Sequence, residues 1–191
     1  MPGRRNVRKL ALRPALPRRG IVWFPPFPAD APVDAFRRDH DPLHGNLAAH
    51  VWLVFPFATN LTSVQIAAHA RRVVANWPAM SANLRDVESI LDEFVILMVR
   101  ERSESLVALH DKLYQGVLKP FLRPELTYTP HVTLGRVAGH RSGADFPQVP
   151  AGRGVFRCAL PRFPIRAGRY HGNVYASARG HVCDFLQAGI V

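Results

Sequence analysis

A histidine and a hydroxyl stand two residues apart at His131 and Thr133, inside the stretch Tyr128-Thr-Pro-His-Val-Thr-Leu-Gly-Arg136. Alternate side chains of an extended strand share a face, so this imidazole and this hydroxyl point the same way, about 6 to 7 Å apart. Such a pair offers a proton carrier and a hydrogen-bond donor at a spacing that suits a phosphate oxygen. A partial copy lies earlier, in Ala48-Ala-His-Val-Trp-Leu-Val-Phe-Pro-Phe57, where His50-Val-Trp-Leu53 repeats the register of His131-Val-Thr-Leu134. One His-x-Thr alone is an ordinary strand feature. Two related strands in separate parts of a small chain point instead to two half-domains, each lending one imidazole to a shared cleft. Two imidazoles divide acid-base work between them. The neutral one takes a proton from the attacking hydroxyl or water, and the protonated one gives a proton to the leaving oxygen, with no metal in the scheme. Hydroxyls and an arginine would hold the charge that builds on the phosphoryl oxygens.

Positioning these groups falls to short strands and amphipathic helices. Ile21-Val-Trp-Phe24 reads as a buried strand stopped by Pro25 and Pro26. Asp30 is placed to cap a short helix running to about Asp39, followed by a loop from Leu43 to Ala49. The strand from about Ala49 to Phe57 is apolar apart from His50, which predicts a central place in a sheet with both faces covered. Thr62-Ser-Val-Gln65 matches a capping box, and Ile66, Ala70, Val73, Val74 and Trp77 recur at helical spacing until Pro78. His69, Arg71 and Arg72 fall off that stripe and read as a solvated face. A hairpin is expected from Ala82–Ile90 and Phe94–Val99. After it, Ser103 or Ser105 caps a helix with Leu106, Leu109, Leu113 and Val117 on its apolar side. Beyond the second histidine strand, Gly139 to Gly154 reads as a surface loop and a candidate flap. Short strands are expected next at Gly154–Leu160, Arg162–Arg166 and Asn173–Ala178.

The 191 residues suit one domain or two closely fused lobes, long enough to bury a core without staples. Cys158 and Cys183 show neither a C-x-x-C nor a zinc-ligand spacing, which indicates reduced thiols and a cytoplasmic setting. Twenty-five Lys and Arg against fourteen Asp and Glu give a net charge of +11, a surface that attracts polyanions such as nucleic acid. An arginine-favouring genome would produce the same balance without that demand. No apolar run is long enough to span a membrane. Residues 1–20 read as a flexible basic arm, 21–180 as the folded domain and 181–191 as a tail. The G-x-S-x-G, P-loop and complete G-x-G-x-x-G signals of serine hydrolases, NTPases and dinucleotide enzymes are absent. A metal cluster of His40, His44 and His50 with Asp39 or Asp41 would need irregular loop spacing, which argues against it. Oligomeric state leaves no signal, and a monomer is expected.

On these motifs the chain resembles the 2H phosphoesterase superfamily, which includes bacterial 2′-5′ RNA ligase and RNA 2′,3′-cyclic phosphodiesterase. His131-Val-Thr-Leu134 matches one H-x-[ST]-h motif in full, with Pro130 before it and Arg136 after it also in keeping. Phe36-Arg-Arg-Asp-His-Asp-Pro42 and the His50 strand are similar to the first-motif neighbourhood of one bacterial branch. The resemblance implies an α+β fold of two pseudo-twofold lobes, antiparallel sheets flanked by helices, and a central cleft. It implies proton transfer by His50 and His131, phosphate holding by Thr133 and Arg136, and a substrate contact at Trp52, with Phe55 walling a base pocket. It further implies no cofactor and no metal. The substrates would be RNA ends or nucleotides carrying a 2′,3′-cyclic phosphate, opened by hydrolysis or joined by reversible 2′-5′ ligation. Trp52 departs from the pattern, standing where the family has threonine or serine. That departure sustains an alternative, a binding domain of the same fold with weakened or lost turnover.

Overall fold

Short runs of branched and aromatic residues make the strands, because such side chains fit a pleated, half-buried surface. They are β1 (Arg18–Phe24), β2 (Val51–Ala58), β3 (Met80–Ile90), β4 (Phe94–Glu101), β5 (His131–Arg136), β6 (Phe156–Leu160), β7 (Ile165–Ala167), β8 (Tyr170–His171), β9 (Val174–Tyr175) and β10 (Gln187–Ile190). The computed structural model describes residues 16–27, 32–78, 80–91, 93–101, 103–136, 156–160, 165–167, 170–171, 174–175 and 187–190. The expected flap at 139–154 lies outside the described residues, as do the two cysteine side chains and residues 1–15 of the expected arm.

Among the described residues three α-helices accompany the strands: α1 (Pro32–His40), α2 (Ser63–Val74) and α3 (Ser103–Leu113). Proline at the first position of α1 costs no hydrogen bond, since its missing N–H would have had no partner there. The capping box of α2 is reciprocal. Gln65 donates its backbone N–H to Thr62 Oγ1 at 3.2 Å, and Thr62 donates its own to Gln65 Oε1 at 2.8 Å. Among the described residues no helix is long and apolar enough to cross a membrane.

Eight strands form one sheet in the order β6-β3-β4-β5-β2-β1-β10-β7, antiparallel except where β10 meets β7. It is effectively two four-stranded halves, because the innermost strands β5 and β2 are joined by a single residue pair, Val51 with Val132. Each inner strand carries one histidine motif. Each also slips register at the motif's leucine, Leu53 against β1 and Leu134 against β4. The extra residue forms a β-bulge, which bends the strand and re-aims the side chains beyond it. One sheet face packs under the helices: Val51, Leu53, Val95, Leu97, Val132 and Leu134 share a buried cluster with Ile66 and Ala70 of α2 and Leu106 and Leu109 of α3. The architecture is the α+β class expected from the motifs.

Several local expectations change. β1 begins at Arg18, so the last three residues of the expected arm belong to the sheet. Arg19 ties this end down, donating to the Leu61 carbonyl at 2.9 Å and to Ser63 Oγ at 2.6 Å. β10 pairs with β1, which places part of the expected 181–191 tail in the sheet as well. His69 is buried rather than solvated, held by the Leu113 carbonyl at 2.9 Å. A 3-10 turn over Gly116–Phe121 rotates Val117 outward and buries Leu118 in its place.

Candidate active site

The face opposite the helices carries the two motifs. Carried one residue either way, the Val51–Val132 register sets His50 across from Thr133 and Trp52 across from His131, all four on one face. Both histidines, Thr133 and Trp52 are half-buried, and Ile96 and Met98 of β4 lie beside Thr133 and His131 as buried apolar neighbours. The bulge at Leu134 returns Arg136 to the face of Thr133. Its guanidinium is paired with Glu93 and lies 5.3 Å over the Phe94 ring.

The two imidazoles are held by the same device. His50 donates from Nδ1 to the Ala48 carbonyl at 3.0 Å, and His131 donates from Nδ1 to the Thr129 carbonyl at 2.6 Å. A carbonyl only accepts, so each Nδ1 carries the hydrogen and each neutral ring keeps its lone pair on Nε2. Loss of hydration pulls both below the usual 6.5. For His50, burial is the largest cause, and Arg37 and His131 add repulsion to its charged form. The Ala48 carbonyl and Asp41 oppose this, and the result is about 4. His131 is lowered by burial, against its hydrogen bond to Thr129. Aromatic edges account for the drier setting of His50: Trp52 meets it edge-on at 5.0 Å and 88°, and Phe24 at 6.2 Å.

Past Val51 no further β2–β5 pair forms, and His110 of α3 with Tyr114 just after it satisfies backbone groups of β2. His110 donates from Nδ1 to the Leu53 carbonyl at 2.9 Å, and the Phe55 N–H donates to the Tyr114 hydroxyl at 3.0 Å. Tyr128 stacks on His110 at 3.8 Å and 8°, and Phe55 meets both rings edge-on at 5.7 and 5.9 Å. These rings form a wedge beside β2, beyond the Val51–Val132 pair. Phe55, expected as a base-pocket wall, packs into the wedge.

The family model for the 2′-5′ RNA ligase superfamily matches residues 25–149, a span that contains both motifs. The chain belongs to this superfamily. Two relatives, each named "Putative phosphoesterase", come from Bacillus licheniformis and Geobacillus kaustophilus. The first is 30% identical over 125 residues, 61% of this chain and 69% of that one. The second is 27% identical over 119 residues, 61% of this chain and 68% of that one. The crystal structure of E. coli LigT in apo form aligns over 66% of this chain and 76% of the other, at 21% identity and a TM-score of 0.47.

Within this 2′-5′ RNA ligase superfamily chain, Trp52 lies over Gly20 of β1. A Cβ at Gly20 would come within 2.6 Å of the indole Cζ3 and 2.9 Å of the Val54 carbonyl oxygen. Val22 and Leu47 complete the apolar seat of the ring. Gly20→Ala is therefore expected to displace the indole and destabilise the fold by about 1–3 kcal/mol, as overpacking does. Denaturant unfolding followed by tryptophan emission checks this, and an unchanged midpoint and spectrum would remove the slot. The alternative metal cluster is not assembled. His44 turns to Asp34 at 3.0 Å, and His40 packs on Phe36 at 4.4 Å and against Gly135 of β5. Among the described residues, no three His, Cys, Asp or Glu side chains converge on a metal position. Gly20, Phe24 and His110 shape the site but drew no functional reading from sequence, and Arg37 drew one only as part of the Phe36–Pro42 stretch ahead of the first motif. Only Arg37, four residues before Asp41, left a visible spacing.

Proposed function

We propose that this chain is a phosphoesterase that opens 2′,3′-cyclic phosphates on RNA ends or nucleotides by two-histidine acid-base catalysis. The observation that carries this reading is the matched pair of Nδ1 hydrogen bonds, which leaves a free Nε2 on each imidazole of one sheet face. One histidine accepts a proton from water as the water oxygen bonds to phosphorus. The other gives a proton to the ribose oxygen as its bond to phosphorus breaks, and a phosphomonoester results. His50, the more strongly depressed, is the acceptor, and His131 is the donor. Thr133 and Arg136 hold phosphoryl oxygens, with Arg136 exchanging Glu93 for the substrate. Ligation would use the same atoms in the same direction, a 5′-hydroxyl replacing water. Its oxygen bonds to phosphorus as the bond to the ribose 3′ oxygen breaks, leaving a 2′-5′ diester and a free 3′-hydroxyl, and the reverse re-forms the cyclic phosphate. Membership in the 2′-5′ RNA ligase superfamily and relatives named as phosphoesterases support the substrate class. Trp52 favours a second reading, in which the same face binds such ends with little turnover.

An assay on 2′,3′-cyclic mononucleotides and on RNA with a cyclic end, with EDTA present, decides between turnover and binding alone. Turnover requires His50 neutral and His131 protonated. Because the His50 value is about 4 and His131 is held below 6.5, kcat/KM is expected to rise through about pH 4 and to fall before pH 6.5. A bound phosphate favours the protonated donor, so the alkaline limb of kcat moves upward relative to that of kcat/KM. A flat profile from mildly acidic to mildly alkaline pH would remove the two-histidine assignment.

A further inference from the structure

Arg37 is 2% exposed, an unusual place for a guanidinium. Its Nε and Nη2 both donate to Asp41 Oδ2, at 2.9 and 2.7 Å, and Nη2 also donates to the Leu47 carbonyl at 2.7 Å. Asp41 Oδ1 accepts the Leu43 N–H at 2.9 Å, and the Leu47 N–H closes back on the Leu43 carbonyl at 3.1 Å. The loop from Asp41 to Ala49 is thus folded on a buried ion pair. Leu47 seats against Val22 and Trp52, and the next carbonyl, that of Ala48, holds His50 Nδ1. Burying such a pair adds little net stability, because desolvation offsets most of the attraction.

The contrast between the motifs shows what the pair does. Ahead of His131, Pro130 is pinned by the sheet, its carbonyl accepting the Val99 N–H at 3.1 Å. Ahead of His50, residues 48–49 lie outside β2, and Arg37 supplies the nearest fixed attachment, at Leu47. α1 is itself anchored, since Gly135 of β5 lets His40 approach to where a Cβ would meet the His40 carbonyl oxygen at 2.7 Å. We propose that Arg37 is a positioning residue for His50: through Asp41 and the Leu47 carbonyl it sets the Ala48 backbone, which fixes the Nδ1–H tautomer and turns Nε2 to the cleft. The charges facing His50 are Arg37 and Asp41 from the end of α1 and His131 from β5, with the uncharged rings of Phe24 and Trp52 beside it.

Its effect on rate rests on the two-histidine reading, but its first readout does not. Imidazole nitrogen NMR of the full chain reports the tautomer and titration of His50 and His131 separately. Arg37→Lys keeps the charge and loses the fork. The double variant Arg37→Met with Asp41→Leu removes the pair without leaving a buried charge unmatched. In both, His50 is expected to become a mixture of tautomers while His131 stays unchanged. In both, kcat on a 2′,3′-cyclic phosphate falls on the order of 10²-fold, the scale of a small misplacement, with KM little altered. A folded double variant with the wild-type His50 tautomer overturns the proposal, whatever its activity. A tautomer change in a protein that never turns over the cyclic phosphate upholds the positioning role and overturns the catalytic reading instead.

Discussion

Alanine at His131 is expected to lower kcat on a 2′,3′-cyclic phosphate by about 10²- to 10⁴-fold, the usual contribution of one positioned acid or base. The imidazole is half-buried on the sheet face away from the helices, so its loss removes a proton carrier and little packing. Circular dichroism and unfolding midpoint should match wild type. His50→Ala is expected to fall by a similar factor. It also removes the contacts with Trp52 and Phe24, so a modest loss of stability accompanies it. The double variant should lose less than the product of the two factors, because on the two-histidine reading donor and acceptor serve one transition state and either loss disables the transfer. Rates measured with a chelator present test the mechanism directly. A variant at either histidine that keeps near wild-type kcat would end the two-histidine account.

Much of this site was legible because strand periodicity is a strong rule. His131 with Thr133 and His50 with Trp52 needed only the alternation of side chains to be placed on common faces. The repeated His-Val-x-Leu suggested two halves, and the strand pairing adds that each leucine marks a bulge. What escaped is long-range. Nothing near His110 in sequence reveals that it would cap the Leu53 carbonyl, because that bond exists only where β2 parts from β5. Gly20, at the end of an arginine-rich stretch, gave no sign that its missing Cβ seats an indole 32 residues later. His69 illustrates the limit of an apolar stripe: the stripe was right, but α3 packs close enough to bury the residue beside it. Arg136 stands between these cases, in a readable motif but paired with Glu93 across the β4–β5 pairing.

Threonine at position 52 is expected to raise kcat on 2′,3′-cyclic substrates. The register sets residue 52 across from His131 as Thr133 stands across from His50, so Trp52→Thr supplies the hydroxyl that the twofold arrangement lacks. A preorganised donor at a reacting phosphoryl group is worth on the order of 10² to 10³ in rate by comparison with oxyanion-hole deletions. The cost lies in packing. Removing a fully buried tryptophan costs about 3–5 kcal/mol, and Trp52 is half-buried over Gly20, Val22 and Leu47, so the loss falls below that range. Domains of ordinary stability, about 5–15 kcal/mol, survive it. The variant also rehydrates His50, which relaxes the main cause of its depression and moves the acid limb of the pH profile upward. A rise in kcat together with that shift would mark Trp52 as the residue that holds this enzyme back. If the variant stays folded but turns over more slowly or binds RNA ends more weakly, the indole is itself a substrate contact, with its face stacked on a base. The slot at Gly20 would then be read as built to hold that contact in place.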